Sequence, residues 1–281
     1  MNIFTEKLIM KIKVTAVLAV AAIAFSGMFA AGTASAQSAA PYTISIGGST
    51  SVTPLMEALQ AEYAKTKPSV RANISGTGSG DGITNAGVSY QIGMSSRELT
   101  PAEQGRGLKA EIIAVDGIAV IVHKNNAVAN LTIEQIRGIY TGAISNWNQV
   151  GGRNAAIAVV SREEGSGTRG AFEEIAGFQG KLLAGANQLT STGAIMANIA
   201  QNQDAIGYVS LGSVNDTVKA LSIGGVAANT ANVVKGSYRV ARPFIVLTGN
   251  NVHAESKAFI EWILSPAGQA VVVAKGYVSS K

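Results

Sequence analysis

Within the nine residues Ser161-Arg162-Glu163-Glu164-Gly165-Ser166-Gly167-Thr168-Arg169, hydroxyls, a guanidinium and small residues stand close together. An apolar run, Ile157 to Val160, precedes them, and Ala171, Phe172 and Ile175 follow at helical spacing. The pattern predicts a strand, a small-residue turn and the start of a helix. Such a junction is chemistry for anions. The first amides of a helix lack internal partners, and its aligned peptide dipoles favour negative charge there. Arg162 adds a planar, permanently charged fork suited to oxyanions. Two blander roles stand beside this one: Ser166 as a helix N-cap, and Arg162 as a surface partner of Glu163 or Glu164.

The same kind of junction recurs. Tyr42, Ile44 and Ile46 alternate with polar residues and lead into Gly47-Gly48-Ser49-Thr50-Ser51. Thr53 then reads as an N-cap and Pro54 as the first helical position, with Leu55, Met56, Leu59 and Tyr63 on one face. Arg71 to Ile74 runs into Gly78-Ser79-Gly80-Asp81-Gly82, and Tyr90 to Met94 into Ser95-Ser96-Arg97. Thr50, Ser51, Ser79, Ser95, Ser96, Ser166 and Thr168 therefore all fall at predicted strand-to-helix junctions. In doubly wound sheets these gather at the carboxyl ends of the strands, where ligands bind. Many neutral donors and one arginine suit a small tetrahedral oxyanion. Asp81 reads better as a helix cap than as an acceptor for an anion's proton. Arg97, Glu98, Arg169 and Glu173 read as solvated rim charges.

The elements that must position these groups alternate, so the fold class is α/β. Ile112 to Val115 and Gly117 to Val122 are β-branched runs separated by Asp116. Thr132 and Gln135 form a capping box ahead of Ile133, Ile136 and Tyr140. A helix through Ile195 to Ile199 and a strand over Ile206 to Val209 follow, and residues 213–237 have the Gly, Asn and Ser content of loops and edge strands. Phe244 to Thr248 returns to strand, and Ala258, Phe259, Trp262 and Ile263 give a last amphipathic helix. Changes of character near 115 and 238 predict a first lobe over 37–115, an inserted second lobe over 116–237, and a return segment over 238–281.

Residues 1–36 read as a secretory signal. Lys7, Lys11 and Lys13 precede an apolar run from Val14 to Phe25, and Ala34-Ser35-Ala36 has the small-x-small form of a cleavage site. Met10 would serve as an alternative start. Cleavage after Ala36 would remove three Lys and one Glu and lower the formal charge from +5 to +3. No Lys/Arg cluster suggests nucleic-acid binding. The 281 residues include no Cys, hence no disulfide, thiolate metal site or lipid-bearing Cys at the signal junction. Exported, unanchored and periplasmic is the expected address. Catalytic patterns are missing: there is no P-loop, no Gly-x-Ser-x-Gly elbow and no metal-ligand cluster. The two histidines, His123 and His253, read as surface or strand-end residues.

Taken together, several segments give the chain a resemblance to the phosphate-binding component of bacterial phosphate ABC importers, in its shorter form. They are Gly48 to Pro54, Gly78 to Gly82, Ile92 to Leu99, Asp116 to Val122, Leu131 to Trp147, Arg162 to Thr168, Ala205 to Val209 and Ser265 to Gln269. The resemblance implies a type II periplasmic binding protein fold, with two lobes joined by two crossing strands and phosphate dehydrated between them. It implies that Thr50, Ser51 and Ser79 bind from the first lobe and Arg162, Ser166, Gly167 and Thr168 from the second. Ser96 stands where longer relatives place an aspartate that accepts the proton of hydrogen phosphate, which leaves selectivity open. A membrane permease and an ATPase are the implied partners of a monomeric receptor that needs no cofactor or metal. Another tetrahedral oxyanion, sulfate or tungstate-like, is the alternative ligand, and a secreted phosphoester hydrolase the more distant reading.

Overall fold

The computed structural model describes residues 41–281, so the predicted signal over 1–36 lies outside the described residues. The chain opens with β1 (Tyr42–Gly48), α1 (Thr53–Thr66), β2 (Val70–Gly76), α2 (Ser79–Asn85), β3 (Ile92–Ser95) and α3 (Pro101–Gln104). The strand β4 (Lys109–His123), β5 (Asn130–Leu131) and α4 (Ile133–Thr141) follow, then β6 (Ala158–Arg162), α5 (Gly167–Ala176), β7 (Asn187–Leu189) and α6 (Thr192–Gln201). The remainder is β8 (Ala205–Ser210), β9 (Val218–Ala220), β10 (Ser222–Ile223), α7 (Thr230–Val234), β11 (Ala241–Thr248), α8 (Ala254–Ile263), α9 (Pro266–Ala274) and β12 (Val278–Ser279). The main sheet runs β2-β1-β3-β11-β4-β8-β6-β7, with β9 and β12 also paired to β4. β5 and β10 form a separate parallel pair.

Strand β4 ties the two halves together. Its first part pairs with β11 through Gly117, and its second pairs with β8 from Ile118 onward. At 15 residues it spans roughly 50 Å. The two runs read as separate strands are thus one, and Asp116 sits inside it rather than breaking it. Sheet alternation sorts the helices onto faces. On β11, Phe244 and Val246 join the core that holds Leu55, Met56 and Leu59 of α1 and Phe259 of α8, whereas Ile245 and Leu247 meet Ile83 of α2 and Ala86 at its C-cap. On β4, Ile118, Val120 and Val122 join the core of α4 and α5, and Ala119 and Ile121 meet Ile195 and Ile199 of α6. With β1 between β2 and β3 and helices on both faces, the crevice opens beyond the carboxyl ends of β1 and β3.

Several local expectations shift. Helix α1 begins at Thr53 with Val52 as N-cap, and the Thr53 hydroxyl donates to the Ser49 carbonyl at 3.1 Å instead of capping. The third hydroxyl turn does not open a helix directly, because α3 starts only at Pro101 behind its own Thr100–Glu103 capping box. The amphipathic pattern through Ile263 is not the last helix, since Ser265 caps α9. The Thr132–Gln135 capping box of α4 is as expected, with reciprocal bonds of 3.2 and 2.9 Å.

Candidate functional site

The first wall is built by three turns packed on one another. Gly48 has φ +136, and a Cβ there would lie 2.2 Å from the Met94 carbonyl, so only glycine lets the end of β1 lie this close to β3. That approach places Ser49 Oγ to donate to Ser96 Oγ at 2.9 Å, while Ser49 Oγ accepts from the Ser51 amide at 3.3 Å. Ser79, at the start of α2, accepts from the Ser96 amide at 3.1 Å and lies 3.3 Å from Ser96 Oγ. Ser51, Ser79 and Ser96 are buried and Thr50 is half-buried. Ser95 belongs to β3 but turns its hydroxyl to the Arg97 carbonyl.

The second wall is the β6–α5 junction. Ser166 is the N-cap of α5, its oxygen accepting from the Arg169 amide at 3.3 Å. The cap and ligand roles are compatible, because that bond uses a lone pair and leaves the hydroxyl proton to donate. Arg162 is 2% exposed while Glu163 is 28% exposed, so their pairing is half-buried and not the surface pair considered from sequence. Glu163 takes Nε and Nη2 at 2.9 and 2.8 Å, and the Leu189 and Thr190 carbonyls share the same two nitrogens. Nη1 has no hydrogen-bond partner among the described residues. Behind the junction, Tyr208 of β8 accepts from the Arg162 amide at 3.2 Å and meets Ser161 Oγ at 2.8 Å; burial raises its phenol to about 12.

The two walls touch. Ser51 Oγ lies 2.9 Å from Thr168 Oγ1, and the Gly80 amide donates to the Gly165 carbonyl at 2.9 Å. A Cβ on Gly167 would stand 2.3 Å from Ser79 Oγ and 2.9 Å from Ser96 Oγ, so this contact requires glycine. All eight residues singled out from sequence, Thr50, Ser51, Ser79, Ser96, Arg162, Ser166, Gly167 and Thr168, lie in these two walls. Three others were missed. Thr192, first residue of α6, meets Thr50 Oγ1 and Ser51 Oγ, each at 3.2 Å. Tyr208 is the second. The third is Arg242, which donates to the Ser96 carbonyl and Oγ at 3.3 and 3.2 Å and pairs with Asp116 at 3.2 Å. Burial raises the Asp116 carboxyl, against the opposing pull of Arg242 and Ser210. Ser191-Thr192 at the head of an apolar pattern is a signal that could have found α6. Nothing local marks Arg242.

Charges assigned to the rim behave differently. Arg169 pairs with Glu173 at 2.6 Å, both largely buried, and Arg169 also donates to the Arg162 carbonyl and to Gln188. They are internal braces of α5, not solvated rim charges. Asp81 lies in the first turn of α2 behind the N-cap Gly78, and it accepts from Thr77, Asn85 and Tyr90 at 2.5, 2.7 and 2.8 Å. It is therefore no cap, and these donors, Thr77 foremost, lower its pKa. His253 caps α8 and stacks on Tyr42, while His123 ends β4. Arg97 holds Glu103 through two bonds of 2.7 and 2.8 Å, which bring its carboxyl from the ordinary 4.5 to about 2. A depressed folded value means stability present above the ordinary pKa and lost as pH falls toward the folded one. Urea unfolding of wild type and Glu103→Gln should therefore differ at pH 6 and converge between about 4.5 and 2. A gap constant with pH would contradict this.

Ser166→Ala should lower the melting temperature through the lost cap, worth roughly 0.5–2 kcal/mol. If Ser166 also donates to a bound oxyanion, affinity should fall by roughly 1–3 kcal/mol, the range for leaving a buried polar group without its partner. Calorimetric titration with a lower melting temperature but unchanged affinity would restrict Ser166 to the cap.

Comparison with known proteins fits this geometry. A family model described as a PBP superfamily domain matches residues 33–267. A Clostridium perfringens structure, described as a phosphate ABC transporter substrate-binding protein with bound phosphate, is 45% identical. It aligns with TM-score 0.83 over 85% of this chain and all of its own. An ABC-type phosphate transport receptor from Vibrio cholerae is 37% identical, with TM-score 0.70, over 84% of this chain and 99% of its own. The phosphate-binding protein PstS of Borreliella burgdorferi is 27% identical over 253 residues, 85% of this chain and 90% of the relative.

Proposed function

The chain belongs to the PBP superfamily, and from that membership and the geometry of its two walls we propose that it captures inorganic phosphate and passes it to an ABC-type import permease. One observation carries the reading. Arg162 is buried with an Nη1 that has no hydrogen-bond partner among the described residues, and the turn that follows it meets the buried hydroxyls of the first wall through Thr168 and Ser51. Such a site neutralises an oxyanion mainly with neutral, pre-positioned donors and a single strong charge. Thr50, Ser51, Ser79 and Ser96 act from one side, and Arg162, Ser166, Gly167 and Thr168 from the other. The ligand is held, not converted, and no residue here is assigned a catalytic role.

The lobe division over 37–115, 116–237 and 238–281 is part of the same proposal. Its support is the change of partner along β4 between Gly117 and Ile118, and the Ile118 amide bonding the Val240 carbonyl at 2.7 Å where the chain returns. Two crossings permit hinge closure, by which ligand binding is turned into a shape a permease can read. Export of a monomer to the periplasm, with the signal removed after Ala36, completes the proposal. The test is a thermal-shift series with phosphate, arsenate, sulfate and molybdate. A ligand bound by the folded form alone raises stability with the logarithm of its concentration. Phosphate should give the largest shift; no shift with phosphate would overturn the reading.

A further inference from the structure

Residues 276–280 bridge the two proposed lobes where β4 passes between them. β12 pairs with Val115 and Ala114, on the edge of β4 that β8 takes from Ile118 onward, and β11 lies along the other edge. The interval between β8 and β12 is therefore Asp116 and Gly117, where β4 changes partners. One side of the segment is fixed to the first lobe. Gln269 of α9 is buried, accepts from Ser279 Oγ at 2.7 Å and from the Ser280 amide at 2.9 Å, and donates to the Ile113 and Ile263 carbonyls at 3.1 and 3.0 Å. The Tyr277 ring enters the core of α1 and α8 beside Phe244, with centroids 5.3 Å apart.

The same segment reaches the second lobe at three places. The Gly276 carbonyl accepts from Thr230 Oγ1 at 2.7 Å, and Thr230 opens α7, whose Val233 lies in the core of α4 and α5. Val278 packs against that core. A Cβ on Gly212, in the turn Leu211–Ser213 after β8, would stand 2.5 Å from Tyr277 Cζ, so ring and turn meet with no room for a side chain. None of these residues belongs to the two walls. Rotation of the lobes about the partner switch in β4 must change these distances, because their two sides are fixed to different lobes. A hydrogen bond is lost beyond about 3.5 Å. Resting on the phosphate-receptor reading, we propose that residues 276–280 are a clasp: they hold the second lobe in the arrangement in which the two walls meet and release it when the lobes part. Part of the stability of the closed form is then supplied away from the ligand. A receptor binds more tightly the more its competent form is populated, so phosphate affinity includes the clasp.

The experiment is titration of inorganic phosphate into wild type, Thr230→Val and Gly212→Ala, with stopped-flow measurement of release and melting temperatures recorded without phosphate. Thr230→Val keeps the side-chain shape and removes one hydrogen bond, so phosphate should bind about two- to tenfold more weakly. Gly212 has no positive φ, so its backbone accepts alanine and the new methyl acts as a wedge against Tyr277. Phosphate should then bind at least about fivefold more weakly. In both variants the loss should lie in faster release. A contact that only supports the fold would lower the melting temperature and leave affinity and release unchanged. That result, or tighter binding in either variant, would overturn the clasp. Should Gly212→Ala not fold, Thr230→Val decides alone. Wild type that binds none of phosphate, arsenate, sulfate and molybdate would remove the receptor reading and the clasp with it, whereas wild-type binding with unchanged affinity in the variants would remove the clasp alone. If another of these anions binds in place of phosphate, the same comparison with that anion decides.

Discussion

Arg162→Ala is expected to weaken phosphate binding by more than tenfold in a calorimetric titration. Each hydrogen bond to a charged group contributes about 1.5–3 kcal/mol, and 1.4 kcal/mol is a factor of ten. The loss has a second part. Glu163, which bonds Arg162 through both carboxylate oxygens, would keep its charge without its partner and repel an arriving anion. Arg162→Ala combined with Glu163→Gln should therefore recover part of the affinity. Arg162→Lys should fall between, keeping the charge and losing the fork. Unchanged affinity in Arg162→Ala would remove this residue from the site.

Gly167→Ala is the second large effect, and its direction distinguishes binding from folding. The added methyl would stand 2.3 Å from Ser79 Oγ and 2.8 Å from Ser79 Cβ. Both belong to a short side chain at the start of α2, which cannot swing away as a long one would. Overpacking of this kind costs roughly 1–3 kcal/mol, or about fivefold to more than hundredfold in affinity. The cost falls only when the walls are together. At the first position of α5 the backbone of Gly167 is ordinary helix, where alanine is the better former. The melting temperature without phosphate should hold or rise while affinity drops. Equal affinity in Gly167→Ala would mean that the contact of Gly167 with Ser79 and Ser96 is not part of the bound state.

The turns that build the walls were legible in the sequence because each is a local object: a strand end followed by a turn of small or hydroxyl residues, in most cases with a helix start. Gly48, Ser79 and Ser166 carry that signature in their neighbours. What joins and braces the walls was not legible, because it is made by pairs remote in sequence. Thr192 reaches Thr50 across 142 residues and Arg242 reaches Ser96 across 146. Arg242 sits in β11 just before Pro243, in a stretch with no motif, and its burial follows from where β11 pairs. Arg169 and Glu173 were misplaced for a related reason. Their i,i+4 spacing suits an exposed helix pair as well as an internal brace, and only the approach of Gln188 and Gly180 decides. The fold class followed from alternation alone, whereas the continuity of β4 through Asp116 depended on Arg242, the partner that makes a charge tolerable inside a strand.

The measurement that tests the account most directly is calorimetric titration of inorganic phosphate into the purified chain, repeated with Gly167→Ala. The account predicts saturable binding of one phosphate per chain, and at least about fivefold weaker binding in the variant at an undiminished melting temperature. Absence of saturable binding to the wild-type chain would contradict it.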